Sequence, residues 1–295
     1  MMNHKRLLVP LSLADGSDRA FERALAMAKA WGAELYLLHA VPAYERFSYR
    51  ATERLQRSKE LRERAEAAGV RAQTVEQHGD PAEIIVLHAD ARAVDLIVIG
   101  TERRTGWARW RQRSVAESVL RRTKRPTLVV GSHGAADEAT FGKILVAVDL
   151  SPASTALIDT ALRLPGDESR QLTIIHAVDG IEAASGVGNR SWVVPEYRSH
   201  LLDAARGRLA DVMPSSAATD VRLHVAGGPV AQTIRAYAAD CEADLIVMGR
   251  SKRFMHLGST AVRVLRTTDR ALLIVPPSAY AQAIGAEPSV HTRAA

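Results

Sequence analysis

The sequence predicts an α/β protein made of two tandem doubly wound parallel five-stranded sheets, Rossmann-like with strand order 3-2-1-4-5 and helices on both faces. Three observations carry that prediction. Short β-branched runs alternate with longer amphipathic segments, which is the pattern of parallel strands joined by helices. The central runs are apolar throughout, as strands covered on both faces must be. The whole pattern also occurs twice. RLLVPLS and LYLLHAV in the first half match KILVAVD and LTIIHAV at an offset of 137; GDPAEII matches GGPVAQT at 148 and DLIVIG matches DLIVMG at 149; SVAESVL and the closing LVV match STAVRVL and LIV at 145. The changing offset places about twelve extra residues of the second copy between its second strand and third helix, and removes four after DLIVMG. Both changes fall in loops, where length is tolerated.

In the first copy, 7–11 reads as a buried strand, and 17–31 as a helix with Phe21, Leu25 and Ala28 at helical spacing, ended by Gly32. Residues 35–41 form the second strand. A charged amphipathic helix over 54–68 stops at Gly69, 70–77 alternates apolar with polar as a third strand, and 81–91 is a helix opened by Pro81. Residues 96–99 are a continuously apolar strand, 114–122 a helix and 127–130 the last strand. The second copy repeats this with strands at 144–148, 172–178, 221–225, 245–248 and 272–275. The expected units are 1–135 and 140–278, with an Ala-containing tail over 279–295 expected to be disordered.

Composition narrows the function classes. With 295 residues and 47% hydrophobic content the chain supports two ordinary cores. No run approaches the roughly 20 apolar residues of a membrane span, and the N-terminus lacks a signal-peptide core, so a cytoplasmic location is expected. One cysteine, Cys241, excludes an internal disulfide framework, and no Cys/His spacing suggests zinc. The net charge of +6 sits in the first half: residues 1–135 hold 23 Lys+Arg against 16 Asp+Glu, a balance of +7, leaving −1 for the rest. Nine basic residues lie within 103–125 against one acid, Glu117.

In a doubly wound sheet, ligands bind beyond the carboxyl ends of the strands, where strand order reverses. For order 3-2-1-4-5 that point lies between the first and fourth strands. In the second copy it brings Asp149-Leu150-Ser151 opposite DLIVMGRSKRFMHLGST, a strand, a basic loop and Gly258-Ser259-Thr260 opening a helix. The first N–H groups of a helix lack internal partners and carry the positive end of its dipole, so this is an anion cradle as well as a cap.

These features together resemble the universal stress protein family in its tandem two-domain form, over residues 5–277. The residues that carry the likeness are ILVAVD, the LIIHAV-like second strand, the GDP-A turn, DLIVMG, and Gly-Ser before V-x-x-V-L. The resemblance implies ATP, or another adenine nucleotide, with Mg²⁺ accompanying it. Asp149 is then assigned to the adenosine end with Leu150 beside it, Val178 to the base, and Met248, Gly249, Gly258, Ser259 and Thr260 to the strand end and phosphates. The family's middle glycine is Lys252 here, and the loop is four residues short. Arg250, Lys252 and Arg253 are expected to supply charge in place of the missing backbone donors. In the first copy the Asp position is Ser12 and Arg103 and Arg113 replace two glycines, which leaves only Gly100 and Ser114 of the motif. That copy is not expected to bind ATP in the family's manner.

The leading function is therefore a stress-response protein that binds and senses an adenine nucleotide in its C-terminal half. A slow ATPase is the alternative; the sequence has no Walker A motif, nucleophile elbow or paired carboxylates beside a nucleophile, and no catalytic residue is nominated. A second alternative is protein or nucleic-acid binding through the arginine-rich segment, with Trp107 and Trp110 as stacking surfaces. No recognised nucleic-acid fold accompanies that segment, so nucleic acid is not the expected partner. The last strands of the copies are expected to pair within one chain, giving an intramolecular pseudo-dimer open to further homodimerisation.

Overall fold

The computed structural model describes residues 5–12, 15–43, 50–100, 115–133, 136–164, 170–179, 195–212, 221–250 and 257–277. The arginines and tryptophans of 103–113, Ser114, Lys252, Arg253 and the tail 279–295 lie outside the described residues.

The first half runs β1 (Arg6–Leu11), α1 (Asp15–Trp31), β2 (Glu34–Val41), α2 (Ala51–Ala67), β3 (Ala72–His78), α3 (Pro81–Ala91), β4 (Leu96–Gly100), α4 (Val115–Arg122) and β5 (Thr127–Val130). The second repeats it as β6 (Lys143–Ala147), α5 (Ser154–Leu162), β7 (Gln171–Val178), α6 (Pro195–Asp211), β8 (Val221–Gly227), α7 (Val230–Asp240), β9 (Leu245–Gly249), α8 (Ser259–Thr267) and β10 (Ala271–Val275). Each half has the order 3-2-1-4-5, and the two join into one ten-stranded sheet, β3-β2-β1-β4-β5-β10-β9-β6-β7-β8. All pairings are parallel except the central one, where β10 meets β5 antiparallel with Leu272 opposite Val129 and Ile274 opposite Thr127. The final strand of each half thus covers the other's edge, and among the described residues the polar β3 and the mixed β8 are the outer edges.

Local chemistry fixes the boundaries. At the start of α3, Pro81 occupies a position that needs no donor, and Asp80 caps the helix by accepting from the Glu83 amide at 2.8 Å. The turns before β4 and β9 pass through the left-handed region at Ala93 (φ 48°) and Glu242 (φ 52°), equivalent positions in the repeat. Two apolar cores lie on opposite faces of the sheet, and both run through the central seam. One holds Phe21, Leu61, Leu157 and Leu209 beneath α1, α2, α5 and α6; the other holds Ile85, Val119, Ile234 and Val264 beneath α3, α4, α7 and α8. Just beyond β5 the backbone approach is too close for any side chain: a Cβ on Gly131 would overlap the Asp269 carbonyl oxygen and stand 2.7 Å from that of Arg270. The connection between the halves is strapped to α1. Arg19 Nε donates to the Gly131 carbonyl at 3.0 Å, and the buried Arg23 donates to the carbonyls of Glu138 (2.6 Å) and Thr140 (3.2 Å) while its guanidinium lies over the Phe141 ring.

Candidate functional site

At the reversal point of the second half, β6 pairs with β9 through Ala147 and Met248, and β10 closes the other side with Val275 opposite Gly249. The chain leaves β6 through Val148 into Asp149 and Leu150. Asp149 is exposed, and its Oδ1 accepts from the Ser151 amide at 3.0 Å and the Ser154 hydroxyl at 3.4 Å, so the carboxylate shapes the turn into α5. Leu150 is buried and holds φ at 56°, a left-handed conformation that costs a non-glycine residue about 1–2 kcal/mol. Strain of this kind persists where surrounding contacts enforce it, and here the side chain packs into the core while the carbonyl accepts from Arg208 Nη2 at 3.4 Å. Val178, half-buried at the end of β7, packs on the same core, and its carbonyl accepts from the Gly228 amide at 3.0 Å.

The strand-to-helix end of this crevice is formed by Gly249, the last residue of β9, and by Gly258, the N-cap of α8, with Ser259 and Thr260 opening the helix. Gly258 has φ −59° and ψ 152°, a backbone open to any residue, and among the described residues a Cβ placed there would meet nothing within 4 Å. Neither its conformation nor packing among the described residues asks for glycine at this position.

Two expected site residues are placed differently. The Met248 side chain is buried in the core on the opposite face from Val178, so only its backbone faces the strand end. Arg250 does not direct its Nη1 into the second half's crevice: that nitrogen donates to the carbonyls of Leu120 (3.2 Å), Arg121 (3.4 Å) and Thr123 (2.7 Å) at the end of α4. The last carbonyls of a helix lack internal partners and carry its negative pole, so they compete well for a guanidinium.

The equivalent end of the first half has a different chemistry. Ser12 stands in place of the aspartate and accepts through its carbonyl from the Ser17 hydroxyl at 2.8 Å. Beneath α2, His39 is 2% exposed and Arg54 4% exposed. Arg54 Nε approaches Glu76 at 3.4 Å, while both its Nη atoms and His39 Nε2 are buried without hydrogen-bond partners among the described residues. Burial, reinforced by the nearby arginines and opposed by Glu76, lowers the His39 pKa to about 4, which keeps the imidazole neutral. The equivalent His176 instead contacts the Val148 carbonyl through Nδ1 at 2.9 Å. Sequence offered no signal for this buried pair beyond the charge itself.

A cavity of about 210 Å³ lies at the opposite, amino-terminal ends of the second half's strands, lined by Lys143, Arg222, Tyr237, Asp240, Cys241 and Glu242. Lys143 and Glu242 pair across it at 2.6 Å, and burial raises the Cys241 pKa, which keeps the thiol protonated and unreactive. Among the described residues no group of three or more His, Cys, Asp or Glu could hold a metal ion, and no helix is long and apolar enough to cross a membrane.

Comparison with known proteins gives concordant matches. The model of the universal stress protein family matches residues 3–131 and again 140–276. A universal stress protein of Methanocaldococcus jannaschii is 34% identical over 139 residues, which span 43% of this chain and 82% of that protein. A solved Pseudomonas aeruginosa PAO1 protein of unknown function shares the fold over 94% of both chains, with a TM-score of 0.68 and 22% identity. A universal stress protein solved in complex with cAMP is 28% identical, covering 44% of this chain and 99% of its own, with a TM-score of 0.37.

Proposed function

The chain belongs to the universal stress protein family, and from that premise we propose that it binds an adenine nucleotide, ATP first among them, at the carboxyl end of its C-terminal half. The observation that carries the reading is Gly258. A glycine that neither its own φ nor the described residues around it require, at the cap of a helix beside the strand-order reversal, is what a phosphate approaching the backbone needs. In this reading Gly249, Gly258, Ser259 and Thr260 receive the phosphates through backbone N–H and hydroxyl donors. Val178 lies against the base, and Asp149 and Leu150 border the adenosine. Asp149 keeps its turn role as well, since Oδ1 serves Ser151 and Ser154 at an exposed position beside the crevice. Mg²⁺ would arrive with the triphosphate.

The first half, residues 1–135, keeps the fold without this cradle, since Ser12 replaces the aspartate and arginines replace glycines. We read the chain as a nucleotide-responsive pseudo-dimer, with the antiparallel β5–β10 seam in the place of a dimer contact. The test is titration calorimetry with ATP, AMP and cAMP, on the native protein and on Asp149→Asn, which preserves the turn acceptor and removes the charge. Saturable binding of at least one nucleotide, weakened in Asp149→Asn, supports the site; absence of binding by all three refutes it.

A further inference from the structure

The two halves differ where they touch across the seam. Arg121 and Arg266 occupy equivalent positions 145 residues apart, yet both grip one carboxylate, Glu117. Arg121 Nη2 donates to Oε1 at 2.8 Å, and Arg266 donates to Oε2 through Nη2 at 2.8 Å and Nε at 3.1 Å. The Glu117 side chain is 3% exposed, and the position equivalent to it in the second half is the apolar Val262. Arg250 is equally one-sided. It follows β9 and donates to the three terminal carbonyls of α4, whereas the residue that follows β4 is Thr101.

The antiparallel seam explains this arrangement. Each helix runs against the strands of its own half, and those strands are reversed across the β5–β10 pair, so the C-terminal end of α4 reaches the carboxyl ends of the second half's strands. Arg250, directly after Gly249, is therefore tied to a helix of the other half at the point where β9 ends. Arg266 ties the far end of α8, the helix that Gly258 caps, to the same α4. Both of the asymmetric contacts thus serve the half that retains Gly249 and Gly258.

We propose that α4 of the first half is the platform that positions Gly249 and Gly258 in the second, with Arg250 as the positioning residue and the Arg266–Glu117 pair as its support. Its consequence for ligand affinity rests on the nucleotide reading above; the positioning itself does not. Burial would raise the Glu117 pKa, but hydrogen bonds and charge from Arg121 and Arg266 outweigh it and lower the value, so the support is charged at neutral pH.

The experiment measures hydrogen exchange at the amides of 257–260 in the ligand-free protein, together with ATP and AMP affinities, for the native chain, Arg250→Gln, Arg250→Lys and Glu117→Gln. Loss of the helix-end contact is expected to speed exchange there and to weaken ATP and AMP by one common factor, about five- to tenfold. Lysine at 250 should recover part of the effect, because an ammonium still meets the terminal carbonyls. Glu117→Gln, buried in the other half, should move both readouts in the same direction. Unchanged exchange in both Arg250→Gln and Glu117→Gln overturns the proposal. So does a loss confined to ATP with exchange unchanged, which assigns Arg250 to direct phosphate contact. Accelerated exchange in a protein that binds neither nucleotide supports the platform and refutes the nucleotide reading.

Discussion

His39 gives the structure a specific acid lability. In the unfolded chain its imidazole takes up a proton as pH falls through 6.5, but in the folded protein it stays neutral down to about 4. Between those values the unfolded state binds more protons, so stability falls as pH drops from about 6.5 to about 4 and is not lost further to this group below that. At about 1.4 kcal/mol per pH unit the window amounts to roughly 3 kcal/mol, a sizeable fraction of a domain's stability of about 5–15 kcal/mol. His39→Leu removes the titration and leaves no Nε2 partner behind, since that nitrogen has none among the described residues. Urea unfolding at pH 7 and pH 4.5 should show the native protein losing about 2–3 kcal/mol more than the variant over that interval. Equal pH dependence in the two proteins would mean that His39 is hydrated or paired, and the argument from its burial would fail.

Other predictions are sharper in sign than in size. Gly131→Ala should lower stability by about 2–3 kcal/mol in denaturant titration, because the methyl has only the rigid backbone of Asp269 and Arg270 to displace, whereas Gly258→Ala should change it by less than about 0.5 kcal/mol. Equal effects of the two substitutions would contradict the open space at Gly258. Asp80→Ala should cost about 1 kcal/mol through loss of the cap on Glu83, with Asp80→Asn recovering most of it. Arg23→Met should make the 136–142 connection cleave faster in limited proteolysis, since the carbonyls of Glu138 and Thr140 lose their shared donor.

The fold was legible because its signals are local or repeated. Apolar runs such as Leu96–Gly100 and Leu245–Gly249 state both strand and burial on both faces, and the second copy checks the first. The helix at Pro81–Ala91 announces its own start through Asp80 and Pro81. What the sequence hid is long-range polar chemistry. Arg250 sits in a basic loop after a strand and looks like phosphate charge, but its Nη1 acceptors are backbone carbonyls 127 to 130 residues earlier, which have no residue type to betray them. Glu117 reads as one acid on a basic, solvated helix, and its burial between two arginines depends on how α4 and α8 meet. Met248 follows the same logic: alternation along a strand says that successive side chains face opposite ways, and only the assembled sheet says which face belongs to which core.

The nucleotide reading is tested most directly by Gly258→Arg, which places at the α8 cap the residue type that Arg113 supplies in the first half. Calorimetric titration with ATP, alongside mass spectrometry of small molecules released from each purified protein, compares it with the native chain. The native protein is expected to bind and the variant to lose at least tenfold in affinity, about 1.4 kcal/mol, while its melting temperature without ligand stays close to native, since a Cβ at Gly258 meets nothing within 4 Å among the described residues. Full retention of nucleotide by Gly258→Arg would contradict the nucleotide reading.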